Sequence, residues 1–169
     1  LHPQIQDIIS GISTRGVKVG MFTNGSGLRP IVNEAIVKHS QFVRFSLTGA
    51  SAKIHDLVHA NGDYEKILAR IRELVELRGK RKFPILGAQF VLASYSAEDV
   101  VGGAEQALEL GLDYYEIKPV FPSIDKMDQL PNTLPVDEAI ELMLEAKKRQ
   151  TSTFQVYAKI DQLKGAYAN

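Results

Sequence analysis

The chain has 169 residues, 44% of them hydrophobic and 24% charged, which is ordinary for a globular protein and sufficient for one well-buried core. Twenty lysines and arginines balance twenty aspartates and glutamates, so the formal net charge of zero gives no overall field that would draw the molecule to nucleic acid or anionic lipid. There is no apolar run long enough for a membrane span. There is also no cysteine to form a disulfide, to act as a thiol nucleophile or to hold a cluster within this chain alone. We therefore expect a cytoplasmic single domain over residues 1–169 that binds small molecules.

Apolar periodicity predicts five helices that alternate with five strands. Apolar residues three and four positions apart mark the helices, and glycine and proline mark their ends. The first predicted elements are a helix from Pro3 ended by Gly16, a strand from Val17, a helix from Pro30 to Lys38 and a strand from Phe42. A helix between Asp63 and Gly79, a strand from Ile85 and a helix capped by Ser96 and closed by Gly111 follow. The last elements are a strand from Leu112 to Lys118, a helix opened by Pro135 and a strand from Phe154 to Ile160. Such regular alternation predicts parallel strands, in a doubly wound sheet or in part of a (β/α) barrel.

Polar side chains inside the predicted strands favour the barrel. Because strand side chains alternate in direction, the polar residues of each strand share one face while their apolar neighbours pack against helices. The polar sets are Arg44, Ser46 and Thr48; Gln89; Glu116 and Lys118; and Gln155, Tyr157 and Lys159. A sheet covered by helices on both sides would bury these charges, whereas a barrel lumen provides them with a ligand. We therefore expect a partial barrel with its site at the carboxyl ends of the strands.

Three charged residues of this lumen have two interpretations. Burial of Arg44, Glu116 and Lys118 in one ring is unfavourable unless they pair with each other or with a charged ligand. They could form an internal ion pair of purely structural value. Alternatively Arg44 could hold a ligand carboxylate bidentately while Lys118 supplies a point charge.

Two other segments carry weaker signals. Thr23-Asn24-Gly25-Ser26-Gly27 is a flexible turn that serves either turn geometry or ligand contact, and its glycine spacing fits neither a phosphate loop nor a dinucleotide fingerprint. His55 and His59 stand four apart in the segment around 52–58, which we interpret as a short amphipathic insertion at the rim. No glutamate follows the first histidine at the spacing of a zinc motif, so we predict no metal site in this chain.

Five segments in this order resemble the later two-thirds of a radical S-adenosylmethionine (SAM) domain. They are Leu1-His2-Pro3, Thr23-Asn24-Gly25, Val43-Arg44-Phe45-Ser46-Leu47, Asp63-Tyr64-Glu65-Lys66 and Ile117-Lys118-Pro119. The resemblance implies a partial (β/α)6 barrel of TIM type that this chain enters just before its third strand. The cysteines that hold the family's 4Fe-4S cluster would then lie upstream of residue 1, so the chain would be an internal piece of a longer protein and inactive alone.

The resemblance also implies a reaction and a set of contacts. A reduced cluster cleaves SAM to methionine and a 5′-deoxyadenosyl radical that abstracts a substrate hydrogen, with flavodoxin or ferredoxin as the reductant of the parent enzyme. The implied cofactor contacts are Thr23, Asn24, Arg44, Ser46, Gln89, Val91 and Lys118, with Ser46 at the ribose or carboxylate and Val91 on the adenine. The implied substrate contacts are Arg44, Glu116, Lys118 and Tyr157; the substrate itself is unknown.

Two alternatives belong to other classes of protein. One is a non-catalytic half-barrel that serves as a scaffold or binds a ligand. The other is a barrel lyase in which Lys118 forms a Schiff base and Glu116 acts as acid or base.

Overall fold

Five parallel strands form one open sheet in a computed structural model that describes residues 2–58, 64–120 and 134–166. The strands are β1 (Val19–Thr23), β2 (Ser40–Ser46), β3 (Ile85–Leu92), β4 (Tyr114–Pro119) and β5 (Gln155–Ala158). They lie side by side in chain order, each parallel to the next. A doubly wound sheet reverses its strand order at a switch point, whereas this sheet does not. The predicted α/β partial barrel is therefore confirmed.

Helices alternate with the strands along the chain, with a helix before β1 and another after β5. They are α1 (Ile5–Ser13), α2 (Pro30–His39), α3 (Ala52–Val58), α4 (Tyr64–Arg78), α5 (Asp99–Glu109), α6 (Val136–Lys147) and α7 (Ile160–Ala166). Gly111 follows α5 with a φ of +75°, a conformation that strongly favours glycine, and so marks the end of that helix as expected. Among the described helices, none is long and apolar enough to cross a bilayer.

The hydrophobic core lies between the helices and one face of the sheet. Phe45, Phe90 and Ile117 point to this face and are fully buried, and α5 packs across β3 and β4 there. Burial of each large apolar side chain stabilises the fold by about 1.5–3 kcal/mol. The opposite face of the sheet, which we call the open face, carries the polar strand residues and retains contact with solvent.

Two predicted boundaries are wrong. Ser96 does not cap α5, which begins at Asp99; instead its hydroxyl accepts from the Ala93 amide at 3.0 Å and closes a 3₁₀ turn after β3. The last strand ends at Ala158, and Ile160 begins α7, a helix that the sequence analysis missed. Ile160 and Leu163 pack against the core from one side of α7, so their spacing was helical rather than part of an extended segment.

Candidate functional site

Strand register sorts the residues of the open face into layers. At the amino-terminal end of the sheet, Gly20 pairs with Phe42, which pairs with Ile85. The next layer contains Phe22, Arg44, Gly87, Tyr114 and Gln155. Above it lie Ser46, Gln89, Glu116 and Tyr157, and Val91 and Lys118 form the layer at the carboxyl ends of β3 and β4. The layers change from aromatic to polar toward that end.

A charged cluster of Arg44, Glu116 and Lys159 occupies the middle of the open face. Arg44 Nη1 lies 2.6 Å from Glu116 Oε2, and Lys159 Nζ lies 3.6 Å from Glu116 Oε1. The Arg44 guanidinium also stacks on Phe22, with its central carbon 4.2 Å from the ring centroid. Glu116 retains 14% of its side-chain exposure and Arg44 25%, so the pair is largely withdrawn from water. The internal ion pair, one of the two interpretations of these charges, is therefore present.

A polar rim of Ser46, Gln89 and Lys118 lies above that cluster. Ser46 pairs in register with Gln89, and Lys118 lies one layer higher beside Val91. Within the described part of the chain, the side chains of the three rim residues form no hydrogen bond or ion pair with one another or with any other residue. A hydroxyl, an amide and an ammonium group in this position retain their full capacity to bind a ligand.

An aromatic floor of Phe22, Phe42, Tyr114 and Tyr157 lies below and beside the charged cluster. The Phe42 ring lies across Gly20 and the Tyr114 ring across Gly87: a Cβ at either glycine would come within about 2 Å of the ring. Phe22 contacts Phe42 at 5.5 Å and Tyr114 contacts Tyr157 at 5.7 Å between ring centroids.

The sequence analysis identified only Tyr157 of this floor as a site residue. The signal it lacked is the pairing of each glycine with an aromatic residue on the neighbouring strand, which becomes visible only with the register. Partial burial raises the pKa of Tyr114 above its ordinary value, so its phenol is neutral near pH 7.

Thr23 lies on the core side of β1, and Asn24 follows the end of that strand. Thr23 pairs in register with Phe45, a core residue, and its hydroxyl accepts from the Gly25 amide at 3.1 Å. Asn24 Oδ1 accepts from the Ser26 amide at 3.1 Å and from its hydroxyl at 2.8 Å. The turn interpretation of this segment is therefore supported, and contact with a cofactor stays a prediction.

The rim loop, residues 47–51 after β2, is held by side chains from two helices. Asp99 Oδ2, at the start of α5, accepts from the amides of Ala50 and Ser51 and from the Ser51 hydroxyl at 2.8–3.0 Å. The hydroxyl of Tyr64, at the start of α4, lies 3.3 Å from the carbonyl oxygen of Gly49 and 2.8 Å from Gln106 Oε1, and Gln106 Nε2 in turn donates to the Ala50 carbonyl at 3.4 Å. Burial raises the pKa of Tyr64 to about 12. These hydrogen bonds hold the rim loop against the starts of α4 and α5.

His55 is buried beneath the rim loop, with its ring 5.1 Å from that of Tyr64 between centroids. His59 lies outside the described residues. Among residues 2–58, 64–120 and 134–166, no three histidine, cysteine, aspartate or glutamate residues group closely enough to hold a metal ion.

A separate cavity of about 610 Å³ lies at the amino-terminal end of the sheet, far from the rim. Lys38 and His39 in the last turn of α2 line it, together with the buried Ser40. Basic residues at that position complement the partial negative charge of a helix carboxyl end, so they have a structural explanation.

The solved structures that share the fold of this chain include the following three. SuiB from Streptococcus suis bound to S-adenosylmethionine aligns with a TM-score of 0.73 at 12% identity, over 98% of this chain and 38% of SuiB. A domain of the pyruvate-formate lyase-activating enzyme from Bacteroides vulgatus ATCC 8482 aligns with a TM-score of 0.67 at 14% identity, over 92% and 91%. The structure of anSMEcpe with bound AdoMet and Kp18Cys peptide aligns with a TM-score of 0.67 at 12% identity, over 86% and 41%.

At these identities the similarity establishes the fold alone, a partial α/β barrel that this chain shares with the three structures. The chain spans only 38% of the length of SuiB. No family model and no curated protein matches its sequence.

Proposed function

We propose that this chain forms the SAM-binding wall of a radical SAM enzyme. The observation that carries the proposal is the fold: all but a few residues align with a structure solved with SAM bound. Two of the solved structures described above contain this molecule. The proposal also agrees with the order of short segments that resemble the family.

The polar rim has the chemistry that SAM requires. SAM presents a carboxylate, an ammonium group, ribose hydroxyls and an adenine ring. The Ser46 hydroxyl and the Gln89 amide each donate and accept, Lys118 offers a cation, and Val91 offers an apolar surface between them. We assign these four residues to SAM. When bound beside a reduced iron-sulfur cluster, SAM supplies a 5′-deoxyadenosyl radical.

Arg44 belongs to the substrate side of the site in this proposal. Its guanidinium lies one layer below Ser46, where it is stacked on Phe22 and paired with Glu116. Glu116 and Tyr157 share its environment, so the three residues form the part of the wall that would face a substrate. Binding and orientation are the roles this chain would have in the reaction.

The residues of this chain do not fit an iron-sulfur cluster, because thiolate is its usual ligand and the chain has no cysteine. The proposal therefore requires cluster ligands in sequence that flanks this chain. Three closely spaced cysteines upstream of Leu1 would meet that requirement. Without them, the non-catalytic half-barrel becomes the better proposal.

The Schiff-base lyase is not favoured. A lysine nucleophile is activated when burial or a neighbouring cation makes its amine neutral at pH 7. Lys118 is exposed at the rim, and Glu116, the required acid or base, is paired with Arg44 instead.

Calorimetric titration of the full-length protein with SAM, under anaerobic conditions, tests the proposal. We expect Ser46→Ala to weaken SAM binding about fivefold to tenfold, the value of one hydrogen bond. Lys118→Met should also weaken it, whereas Lys38→Met, at the other end of the sheet, should not. Absence of SAM binding would refute the proposal. SAM binding without 5′-deoxyadenosine formation after reduction would favour the non-catalytic alternative.

A further inference from the structure

The open face has more positive than negative charge. Glu116 is the one carboxylate of the charged cluster, and it contacts two cations, Arg44 at 2.6 Å and Lys159 at 3.6 Å. Lys118, one layer above Glu116, adds a third cation. These four side chains therefore sum to a charge of +2. Excess charge beside a partly desolvated pair is unfavourable, so the arrangement favours an anionic ligand.

The aromatic floor next to this charge lies close against the sheet at two glycines. Gly20 and Gly87 have no side chain, and the rings of Phe42 and Tyr114 lie across them. Upright side chains that fill the inside of a barrel would instead project from those positions. Phe22 and Tyr157 border the floor with 61% and 50% of their surface exposed. Neighbouring rings of the floor are tilted by 58° and 60°, and the exposed face of one such ring binds a planar apolar group by stacking.

We propose that the open face binds a small molecule that carries both a carboxylate and a planar apolar body. The carboxylate would bind Arg44 and the planar body would rest on the aromatic floor. Its role as the substrate, next to SAM at the rim, rests on the proposed function. Charge complementarity selects the anion, and the two glycine-ring pairs select the planar group.

Glu116 would change partners when this ligand binds. In the structure it occupies Arg44 Nη1, the atom that a bidentate carboxylate would use. Lys159 already lies near its other oxygen and can hold Glu116 once Arg44 is released. Two carboxylates and two cations then balance within the cluster. Lys159 is thus a positioning residue, and Glu116 competes with the ligand for Arg44.

Binding of 3-phenylpropionate to the full-length protein tests this inference. Its matched controls are 3-phenylpropionamide, which has no charge, and propionate, which has no ring. Saturation-transfer NMR, with and without saturating SAM, reports binding of each probe. We expect 3-phenylpropionate to bind in both conditions, and both controls to bind at least about tenfold more weakly because each lacks one of the two interactions.

The Glu116→Gln variant gives the sharpest result. Removal of a competing carboxylate should tighten binding of 3-phenylpropionate about threefold to tenfold, whereas removal of a carboxylate that itself bound the ligand would weaken it. Glu105→Gln, which removes an exposed partner of Arg149, is the matched control and should change nothing. Arg44→Gln should abolish binding. If that variant fails to fold, the double variant Arg44→Gln with Glu116→Gln removes the buried pair and leaves only Lys159, which is 38% exposed, without its carboxylate.

Three outcomes would overturn the inference: no binding of 3-phenylpropionate, weaker or unchanged binding by Glu116→Gln, or displacement of the probe by SAM. The first outcome would indicate that the aromatic floor packs only against other parts of the full-length protein and binds no ligand. SAM binding is measured separately, so the two proposals can fail independently. Probe binding in a protein that does not bind SAM would support the carboxylate site and refute the radical SAM proposal.

Discussion

Asp99 holds the rim loop against α5, and we expect its replacement by alanine to release that loop. One carboxylate oxygen, Oδ2, accepts three hydrogen bonds, from the amides of Ala50 and Ser51 and from the Ser51 hydroxyl. The two loop residues are half-buried, so water replaces part of what is lost. A hydrogen bond to a charged group contributes about 1.5–3 kcal/mol, and a carboxylate in the first turn of a helix adds about 0.3–1 kcal/mol.

Asp99→Ala should therefore lower the free energy of unfolding by about 2–3 kcal/mol. This is less than the sum for three charged hydrogen bonds, because water replaces part of them at the half-buried loop. With a urea m-value of about 2 kcal/mol/M, the denaturation midpoint would fall by about 1–1.5 M. Asp99→Asn keeps a neutral acceptor and should cost about 1 kcal/mol. Hydrogen exchange should show faster exchange of the Ala50 and Ser51 amides in the alanine variant.

Glu98→Ala is the matched control for this prediction. Glu98 is exposed, precedes Asp99 at the same end of α5 and forms no hydrogen bond or ion pair with the rim loop among the described residues. Its replacement should change the free energy of unfolding by less than about 0.5 kcal/mol. If Asp99→Ala had no larger effect than Glu98→Ala, or left the exchange of the two amides unchanged, the three hydrogen bonds would not hold the loop.

Asp113→Ala should destabilise the fold by about 2–4 kcal/mol in urea denaturation, because Arg78 is buried and would lose its carboxylate, and the Leu86 amide would lose its acceptor. Stability should fall as the pH rises from about 10 toward 12, since the pKa of Tyr64 is raised in the folded state and its neutral form is favoured there. Tyr64→Phe should reduce this loss. Gly87→Ala should displace the ring of the neighbouring tyrosine and reduce binding of an aromatic carboxylate to the open face, with SAM binding unchanged.

Each of these predictions has an outcome that contradicts it. Glu145→Gln breaks two exposed ion pairs, with Lys148 and Arg149, instead of a buried one. An effect equal to that of Asp113→Ala would show that burial of Arg78 is not what matters. Identical alkaline profiles for the native protein and Tyr64→Phe would exclude this phenol as their source. For Gly87→Ala, unchanged binding of 3-phenylpropionate would show that the ring position is irrelevant to the site.

The sequence determined what depends on neighbours along the chain. Apolar spacing identified the five strands and five of the helices, and alternation within β2 placed Arg44 and Ser46 on the face opposite Phe45. Both follow from local geometry, because helices repeat at 3.6 residues and strands at two. The same rule failed for α7, where a short helix follows a short strand and the apolar residues suit either.

Only the tertiary structure decided which of those side chains meet. Arg44 and Glu116 are 72 positions apart, and their contact depends on the register of β2 and β4 on either side of β3. Lys159 as a second partner of Glu116, and the Tyr114 ring across Gly87, follow from the same register. Register is fixed by the packing of the whole sheet, which no local pattern contains. The sequence thus specified a polar face, and the fold determined that one carboxylate there is shared by two cations beside an aromatic floor.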